Sequence, residues 1–289
     1  MTTMTCIRPE SLDEAVDFLH HYGPDTHILA GGTDLMVELR SGKHHRPYLL
    51  DISRINALKT VQISDDLSRL HIGSGVTLTQ INTLFLIKDH APALHKCSFT
   101  FASRQIRNMA TIGGNVAHAS PCGDTIPPLV IHEAEAVVAN KDGNRTIPLL
   151  EMNKGAYQSA LHPQDLVVTF VVKARQPGFS DFQKIGRRKA LATSRMSMAV
   201  MADKDDQGRI SFIRFSLGAC TPTPQRMHDI ESLFTDKIPT VELIHQGAGL
   251  LAKKMVDITG RRPSIQYKEP AVQGLFKRMI YPMVTWCRQ

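Results

Sequence analysis

The sequence lacks several features that define common protein classes. None of its apolar stretches approaches the ~20 consecutive residues that a membrane-spanning helix needs. Met1 to Glu10 contains no long apolar run of the secretory type, so we expect a cytoplasmic protein without a membrane partner. A chain of 289 residues, 42% of them hydrophobic, is expected to fold as an ordinary globular protein and is long enough for two domains.

The spacing expected of a metal centre is also missing. The five cysteines are far apart and form no CxxC pair, so we expect free thiols in a reducing compartment. The thirteen histidines form no HExxH pattern, and the pairs at 20–21 and 44–45 are expected on the surface. We predict no metal ligands in this chain, so a redox centre would have to be organic or belong to a partner.

Two ligand classes are disfavoured. The formal charge is +7, but the basic residues are scattered and no aromatic-rich RNA motif accompanies them, so we expect no nucleic-acid partner. No GxGxxG follows the first predicted strand, which argues against a Rossmann dehydrogenase.

The first fifty residues have the pattern of a small α/β unit. Apolar spacing predicts a helix over Ser11 to His20, with Ser11 as N-cap and Glu14 completing a capping box. A strand at His27 to Ala30, a helix from Leu35 and a strand at Tyr48 to Ile52 complete a βαβ-like pattern.

The rest of the chain continues with alternating strands and helices. We predict a strand over residues 70–76, a helix over 78–86, a hairpin of 134–139 with 145–149 around an Asp-Gly turn, and a strand over 165–172. Gln176-Pro177-Gly178 then interrupts the pattern, and we place a domain boundary there, between domains of residues 1–176 and 178–289. Beyond it we predict strands at 179–185 and 209–217 and helices at 241–256 and 268–279.

Two glycine turns have the composition of a phosphate-binding backbone. Gly31-Gly32-Thr33-Asp34 joins a predicted strand to a helix, and glycines let a backbone approach a diphosphate while several N–H groups point to one place. The second turn, Thr111-Ile112-Gly113-Gly114-Asn115, adds hydroxyl and amide donors. Taken alone, either turn is also compatible with a simple tight connection.

Asp124 follows the second turn within Ser120-Pro121-Cys122-Gly123-Asp124. A carboxylate in this position can accept hydrogen bonds from the sugar or ribityl hydroxyls of a nucleotide. The alternative is that Asp124 caps a helix that begins near Ile126, where Pro127 suits the first turn. Both roles remain open at this stage.

The two turns in this order resemble the paired FAD signature of molybdenum hydroxylase flavoproteins. AGGTDL at 30–35 and TIGGNVAHASPCGDTIPPL at 111–129 carry the resemblance, together with GSGVTLTQI at 73–81 and KIGRRKALATS at 184–194. The family includes the FAD subunit of xanthine dehydrogenase and the medium subunit of carbon monoxide dehydrogenase. The resemblance implies an α+β fold with a two-part PCMH-type FAD-binding domain, divided near residue 57. A small α/β unit and a larger mixed-sheet α/β unit form this domain, and a C-terminal α+β domain with an antiparallel sheet and helices follows.

The resemblance also implies the site residues. The first motif would bind the FAD diphosphate through backbone N–H groups, and the second would contact the diphosphate and ribityl chain, with Asp124 accepting a hydroxyl. In the third stretch, the cations Lys184 and Arg187 would lie near the flavin ring, where a positive charge stabilises the reduced form; the alternative is that both are solvated strand residues. The complete implied set is Leu29, Ala30, Gly31, Gly32, Thr33, Asp34, Leu35, Thr111, Ile112, Gly113, Gly114, Asn115, Ser120, Asp124, Lys184, Arg187 and Leu191.

By this resemblance the chain is an FAD-dependent oxidoreductase subunit without a catalytic side chain of its own. A partner with two [2Fe–2S] clusters would deliver electrons from a molybdenum-cofactor catalytic subunit, and the flavin would pass them to NAD⁺ or another acceptor. FAD is the only cofactor expected, since the sequence has neither clustered cysteines nor an insertion for a further [4Fe–4S] cluster. Two alternatives remain: a stand-alone flavin oxidase, and a non-catalytic assembly subunit with a vestigial nucleotide site.

Overall fold

A small parallel sheet forms the first part of the molecule. The computed structural model describes residues 4–42, 45–188 and 191–289. The strands run in the order β1-β3-β2, and both described pairs are parallel. Their bounds, with the two helices between them, are β1 (Thr5–Ile7), α1 (Leu12–Tyr22), β2 (Thr26–Leu29), α2 (Leu35–Arg40) and β3 (Tyr48–Asp51). The predicted βαβ pattern is confirmed. The structure also contains β1, which the sequence did not predict because three residues are too few to show an alternation of apolar and polar side chains.

The start of α1 departs from the predicted capping box. Ser11 caps the helix as expected, because its Oγ accepts a hydrogen bond from the N–H of Glu14 at 3.2 Å. The Glu14 carboxylate, however, accepts from the N–H of Glu10 at 3.0 Å, one residue before the N-cap. The reciprocal half of the box is therefore replaced by a contact that fixes the chain entering the helix.

A five-stranded sheet forms the second part. It has the order β4-β5-β10-β6-β7 and is antiparallel at every pair of described strands, where a mixed sheet was expected. The strands are β4 (Val61–Ile63), β5 (Arg69–Gly73), β6 (Glu135–Asn140), β7 (Gly143–Pro148) and β10 (Leu166–Lys173), and a small hairpin, β8 (Asn153–Gly155) with β9 (Gln158–Ser159), lies between β7 and β10. The α+β class is confirmed.

Short helices fill the connection from β5 to β6. They are α3 (Leu78–Thr83), α4 (Phe85–His90), α5 (Pro92–Thr100), α6 (Arg104–Met109), α7 (Ile112–Ala117) and α8 (Ile126–Ile131). The single helix predicted over 78–86 is divided at Leu84, whose backbone is extended. Buried side chains of the sheet and helices, among them Ile72, Ile112 and Phe170, form one core.

A four-stranded antiparallel sheet and long helices form the C-terminal part. The strands follow the order β11 (Phe179–Gly186), β12 (Ser194–Lys204), β13 (Ile210–Gly218) and β14 (Gln225–Arg226), and the helices are α9 (His228–Phe234), α10 (Val241–Thr259) and α11 (Ile265–Arg288). None of the helices within the described residues is both long and apolar enough to cross a bilayer.

Strand β12 was not predicted from the sequence, because both of its faces are buried. Met196, Met198 and Val200 pack against the C-terminal helices. Ala199 and Met201 face α5 and α8 of the preceding part. A strand covered on both sides shows no apolar-polar alternation, and methionine and alanine carry little strand preference. The C-terminal sheet thereby lies between its own helices and helices α5 and α8 of the preceding part.

Candidate functional site

The first glycine turn brings two segments into direct backbone contact. A Cβ on Gly31 would lie 1.9 Å from the carbonyl oxygen of Met109, so no side chain fits between this turn and the end of α6. Gly32 has φ +70, a left-handed conformation that glycine adopts without strain. The pair therefore places the turn against the segment that leads into the second motif.

The backbone N–H groups of this turn are free. From Gly31 to Leu35, none of the five amides has a hydrogen-bond partner among the described residues. These residues line a cavity. Buried or half-buried amides are normally paired, so a run of unpaired N–H groups is a site prepared for acceptors such as phosphate oxygens.

The second motif differs from a free turn. Thr111 is the N-cap of α7, and its Oγ1 accepts from the N–H of Gly114 at 3.1 Å. The N–H groups of Ile112, Gly113 and Asn115 donate to backbone carbonyls of Val76, Ser74 and Thr111. The glycines thus occupy the first turn of a short helix, and their amides are already used within the fold.

The side chains of the second motif retain donors. The Oδ1 of Asn115 accepts from Thr125, whose Oγ1 is 2.6 Å and N–H 3.4 Å away, which fixes the amide so that Nδ2 remains available. The Thr111 hydroxyl accepts one bond and still has its proton to donate. Ser74, in the predicted 73–81 stretch, is 4% exposed, and its hydroxyl has no partner among the described residues.

Both motifs line one cavity of about 460 Å³ between the first and second parts of the fold. This volume falls within the range of small-molecule sites. Ala30–Leu35, Ser74, Thr111, Gly113, Gly114, Asn115 and His118 line one portion, and Thr26, His27, Arg46, His162 and Asp165 belong to the same lining.

Asp165 is fixed by a bidentate ion pair. Its two carboxylate oxygens accept from Nη1 and Nη2 of Arg145 at 2.7 and 2.5 Å, and the N–H of His162 donates to it as well. Burial alone would raise the pKa of Asp165, but these bonds hold it below its ordinary value. The carboxylate is thus ionised and already satisfied, so it serves as a rigid wall of the cavity.

The remaining predicted residues lie outside the cavity lining. Leu29 and Ile112 belong to the strand end and the buried core beside the two turns. The Oγ of Ser120 accepts from the N–H of Cys122 at 3.3 Å. The structure does not bring Asp124, Lys184, Arg187 or Leu191 into this lining.

Asp124 and Lys184 contact each other. The Nζ of Lys184 donates to Oδ2 of Asp124 at 2.6 Å, and the hydroxyl of Ser194 donates to Oδ1 at 2.5 Å. Burial raises the pKa of Asp124, and Lys184 and Ser194 oppose that rise. The proposed helix-capping role of Asp124 is wrong, because Thr125 is the N-cap of α8 and no side-chain bond caps the helix.

The two cations predicted to lie near the flavin ring have different environments, because Lys184 belongs to β11 and Arg187 follows the end of that strand. Lys184 has only 11% of its side chain exposed, so the alternative that it is a solvated strand residue is wrong. Arg187 is exposed, as that alternative expects. Leu191 is 53% exposed with φ 54, and Lys189 and Ala190 lie outside the described residues.

Sequence reasoning missed several polar groups of this region. Ser74 and Ser194 belong to the stretches at 73–81 and 184–194 that carry the family resemblance. Neither was predicted as a site residue, because only the tertiary structure shows what their hydroxyls contact. His118 lines the cavity, and the exposed ring of Tyr157 packs edge-on against it with centroids 5.3 Å apart. No local pattern marks this pair, since β8 and β9 bring Tyr157 to His118 from 39 positions further along the chain.

Comparison with known proteins agrees with this geometry. The model of the FAD binding domain in molybdopterin dehydrogenase matches residues 2–172, and that of the CO dehydrogenase flavoprotein C-terminal domain matches residues 181–283. The nicotinate dehydrogenase FAD-subunit of Eubacterium barkeri is 29% identical, covering 94% of this chain and 93% of the relative. The xanthine dehydrogenase FAD-binding subunit of Escherichia coli O157:H7 is 26% identical, covering 96% and 95%.

A solved structure extends the likeness to three dimensions. Carbon monoxide dehydrogenase from Hydrogenophaga pseudoflava superimposes with a TM-score of 0.90 and 25% identity, over 99% of this chain and 98% of that chain. The FAD-binding family model covers both parts of the molecule that line the cavity, and the second model covers most of the C-terminal part. The chain therefore belongs to the family of FAD-binding medium subunits of the molybdenum hydroxylases, and its cofactor is FAD.

Proposed function

We propose that this chain is the electron-exit subunit of a xanthine dehydrogenase-like molybdenum hydroxylase in the cytoplasm. It receives electrons from a [2Fe–2S] partner, which takes them from a molybdenum-cofactor catalytic subunit, and passes them to NAD⁺. The FAD-binding domain spans residues 1–176, and the C-terminal domain spans 178–289. The relatives named for nicotinate and xanthine support an N-heterocycle as the substrate oxidised by the partner.

The observation that carries the proposal is the run of unpaired amides from Gly31 to Leu35 in the cavity wall. A diphosphate supplies several acceptor oxygens close together, and five successive donors match that demand. These amides bind the FAD diphosphate, and Gly32 gives the turn its left-handed bend.

The second motif holds the cofactor through side chains. Thr111, Asn115 and Ser74 supply donors from this part of the lining. Gly113 lets the motif pack against Ser74, because an added Cβ would lie 2.6 Å from the Ser74 Cβ, and Gly114 leaves the wall of the cavity free of a side chain. Apart from the backbone of its own helix, the only atom of the described residues within 4 Å of an added Cβ at Gly114 is Thr111 Oγ1, at 3.0 Å, so the space beyond it is open. A buried hydroxyl without a partner, such as that of Ser74, is satisfied when a ligand acceptor reaches it.

The flavin end extends past Asn115 towards Asp124. The support for this direction is that Asn115 in the cavity wall accepts from Thr125, the residue after Asp124, and that Asp124 accepts from Lys184. There Asp124 accepts from a ribityl hydroxyl, and Lys184, Arg187 and Leu191 lie against the ring. The bound flavin supplies the exchange of single electrons for a hydride, and Lys184 stabilises negative charge on it.

The absorbance spectrum of the purified chain tests this proposal. Anaerobic dithionite and NADH are added to separate samples. Bleaching of the flavin band by both reagents is the expected result. Bleaching by dithionite alone retains FAD and rejects NAD⁺ as the acceptor.

The same experiment separates the alternatives. A chain without flavin even after reconstitution is the result expected of a vestigial assembly subunit. Rapid bleaching by an added N-heterocycle, with no partner subunit present, is expected of a stand-alone oxidase. Either result overturns the proposal.

A further inference from the structure

A second cavity lies at the seam between the five-stranded sheet and the C-terminal sheet. Its volume is about 320 Å³, and it is distinct from the cavity of the glycine motifs because the two share no lining residue. The end of β10, the end of α8 and the inner strands β12 and β13 form its walls. Its lining consists of Ser68, Arg69, Ile131, His132, Lys173, Ala174, Arg175, Met201, Phe212 and Arg214.

Among the described residues, four cations and no carboxylate line this cavity. Arg69, Lys173, Arg175 and Arg214 have acidic partners, but those partners lie outside the lining. Lys173 and Arg214 both contact Glu133, Arg175 contacts Asp203, and Arg69 contacts Glu135 at 3.4 Å. Three carboxylates thus serve these four cations, and Glu133 also accepts from Arg226, so positive charge exceeds negative charge around the cavity.

Arg175 is held in a fixed plane. Its guanidinium carbon lies 3.6 Å from the centroid of the Phe212 ring, a stacked cation–π arrangement. Oδ2 of Asp203 accepts from Nε at 3.0 Å and from Nη2 at 2.7 Å, along one edge of the group. Nη1 is not used by this carboxylate, so the guanidinium retains a donor while its orientation is set.

His132 adds a buried acceptor to the cationic wall. Nδ1 lies 2.9 Å from the carbonyl oxygen of Lys173, and since a carbonyl only accepts, Nδ1 carries the proton. Burial, together with Arg214 and Arg175, lowers the pKa of His132 to about 4 against the weaker effect of the Lys173 carbonyl, so the ring is neutral. Its Nε2 is therefore an acceptor, and it has no partner among the described residues, with His132 only 1% exposed.

We propose that this cavity binds a protonated oxyanion of the phosphate class, with Arg69, Lys173, Arg175 and Arg214 around its oxygens and its O–H donating to Nε2 of His132. An anion offsets the excess of positive charge. The O–H donates to Nε2 of His132, a buried acceptor that would otherwise have no hydrogen bond. The cations do not donate to this atom, because their carboxylate partners hold them elsewhere.

The acceptor makes the site selective among anions of similar size. At neutral pH inorganic phosphate keeps a proton, whereas sulfate keeps none. Sulfate would bring only acceptor oxygens to Nε2 and leave the imidazole unsatisfied. The structure therefore favours phosphate over sulfate, where a purely electrostatic site would bind both.

Calorimetric titration of the FAD-loaded chain tests the proposal, since bound FAD keeps the probe out of the diphosphate site. The probes are inorganic phosphate, sulfate and glycerol 3-phosphate. Phosphate is expected to bind about tenfold more tightly than sulfate, the worth of one hydrogen bond to a buried group. Glycerol 3-phosphate is mostly without this O–H at neutral pH, because the second pKa of a phosphate monoester is about 6, and it is therefore expected to bind no more tightly than sulfate. Binding of glycerol 3-phosphate as tight as that of inorganic phosphate would overturn the assignment of the O–H to His132.

Half-exposed cations provide variants that should fold. Arg69→Gln and Lys173→Gln are each expected to weaken phosphate binding about fivefold, as for loss of one charge-assisted hydrogen bond. Lys141→Gln is the matched control: Lys141 is also a half-exposed lysine paired with a carboxylate, Asp17, but lies outside the cavity. It should leave phosphate binding unchanged.

His132→Leu tests the acceptor itself, because leucine has no atom that can accept the O–H, whereas glutamine would keep one. In this variant the preference for phosphate over sulfate is expected to fall towards one, with flavin content retained. Equal binding of phosphate and sulfate by the unaltered chain would overturn the proposal. So would no binding, or the same weakening by Lys141→Gln as by Lys173→Gln. These results leave the flavin assignment untouched, because flavin content is read separately from absorbance.

Discussion

Lys184 and Asp124 form a buried ion pair between the two halves of the chain, with Nζ and Oδ2 2.6 Å apart. Lys184 comes from strand β11 of the C-terminal part, and Asp124 precedes helix α8 of the FAD-binding part. Ser194 and the carbonyl oxygen of Ala192 hold the two charged groups from the C-terminal side. The pair therefore couples the motif region to the sheet that covers it.

Removal of one partner should destabilise the protein more than removal of both. Lys184→Met leaves a buried carboxylate without its cation, and we expect a loss of about 3 kcal/mol in the free energy of unfolding. The double variant Asp124→Asn with Lys184→Met should recover part of it, measured by urea denaturation. Lys141→Met, which breaks an exposed pair with Asp17, is the control and should change little. A double variant no more stable than Lys184→Met would contradict the prediction.

Ser74→Ala should affect stability and cofactor binding in opposite directions. The Ser74 hydroxyl is buried without a partner, so its removal should leave the apo-protein equally or slightly more stable. FAD affinity should fall about tenfold if the hydroxyl donates to the cofactor. Flavin fluorescence titration and thermal unfolding measure the two effects.

Ser98→Ala supplies the comparison for Ser74. Its hydroxyl donates to the carbonyl oxygen of His95 at 2.6 Å and accepts from Asn82 at 3.0 Å, away from the cavity. This variant should lose about 1 kcal/mol of stability and keep its FAD affinity. Unchanged FAD affinity in Ser74→Ala would remove that hydroxyl from the site.

Gly114→Val should yield folded protein without flavin. The added side chain meets only Thr111 Oγ1 near its Cβ and then extends into the open space of the cavity wall. Gly249→Val, at an exposed helical glycine with nothing within 4 Å, carries the same change in helix preference and should keep its flavin. Flavin absorbance per chain and circular dichroism report the outcome, and a normal flavin content in Gly114→Val would sink the assignment of this wall.

Gly31→Ala should fail in a different way. Its Cβ would lie 1.9 Å from the Met109 carbonyl oxygen, so the two backbone segments must separate. We expect loss of both stability and flavin, by the overpacking cost of about 1–3 kcal/mol or more. A thermal midpoint equal to that of the unaltered chain would show that the segments move apart without cost.

Acid should weaken the fold through His132. Burial lowers the pKa of this imidazole from 6.5 to about 4, with Arg214 and Arg175 acting in the same direction and the Lys173 carbonyl opposing it. The unfolded chain therefore binds the proton more readily, and the stabilising difference present above pH 6.5 is lost as the pH falls to about 4. The loss is about 3 kcal/mol.

Urea denaturation across that pH range measures the effect. In His132→Gln the free energy of unfolding should depend less on pH over the same range, because the titrating imidazole is absent. Glu133 provides an internal reference. Burial raises its pKa, but the bonds from Lys173 and Arg214 lower it to about 2, so its own contribution is lost only below pH 4.5. An unchanged slope in the variant would assign the acid sensitivity to other groups.

Local chemistry determined much of the first part of the fold. Apolar spacing and turn residues located α1, β2, α2 and β3, because these signals act between residues a few positions apart. The order of the two glycine motifs was enough to indicate the family and FAD. The order of the motifs did not distinguish a turn with unpaired N–H groups from the first turn of a helix, since glycine pairs occur in both.

Contacts between distant residues were decided by the tertiary structure alone. The amides of Gly31 to Leu35 have no partner in the described part of the chain, whereas those of the second motif are bonded, a difference that depends on the carbonyls of Ser74 and Val76. Asp124 meets Lys184 sixty positions away, and His132 meets the cations of two sheets. Sequence patterns report periodicity and turn preference, whereas hydrogen-bond partners and the desolvation of charged groups depend on which distant surfaces pack together.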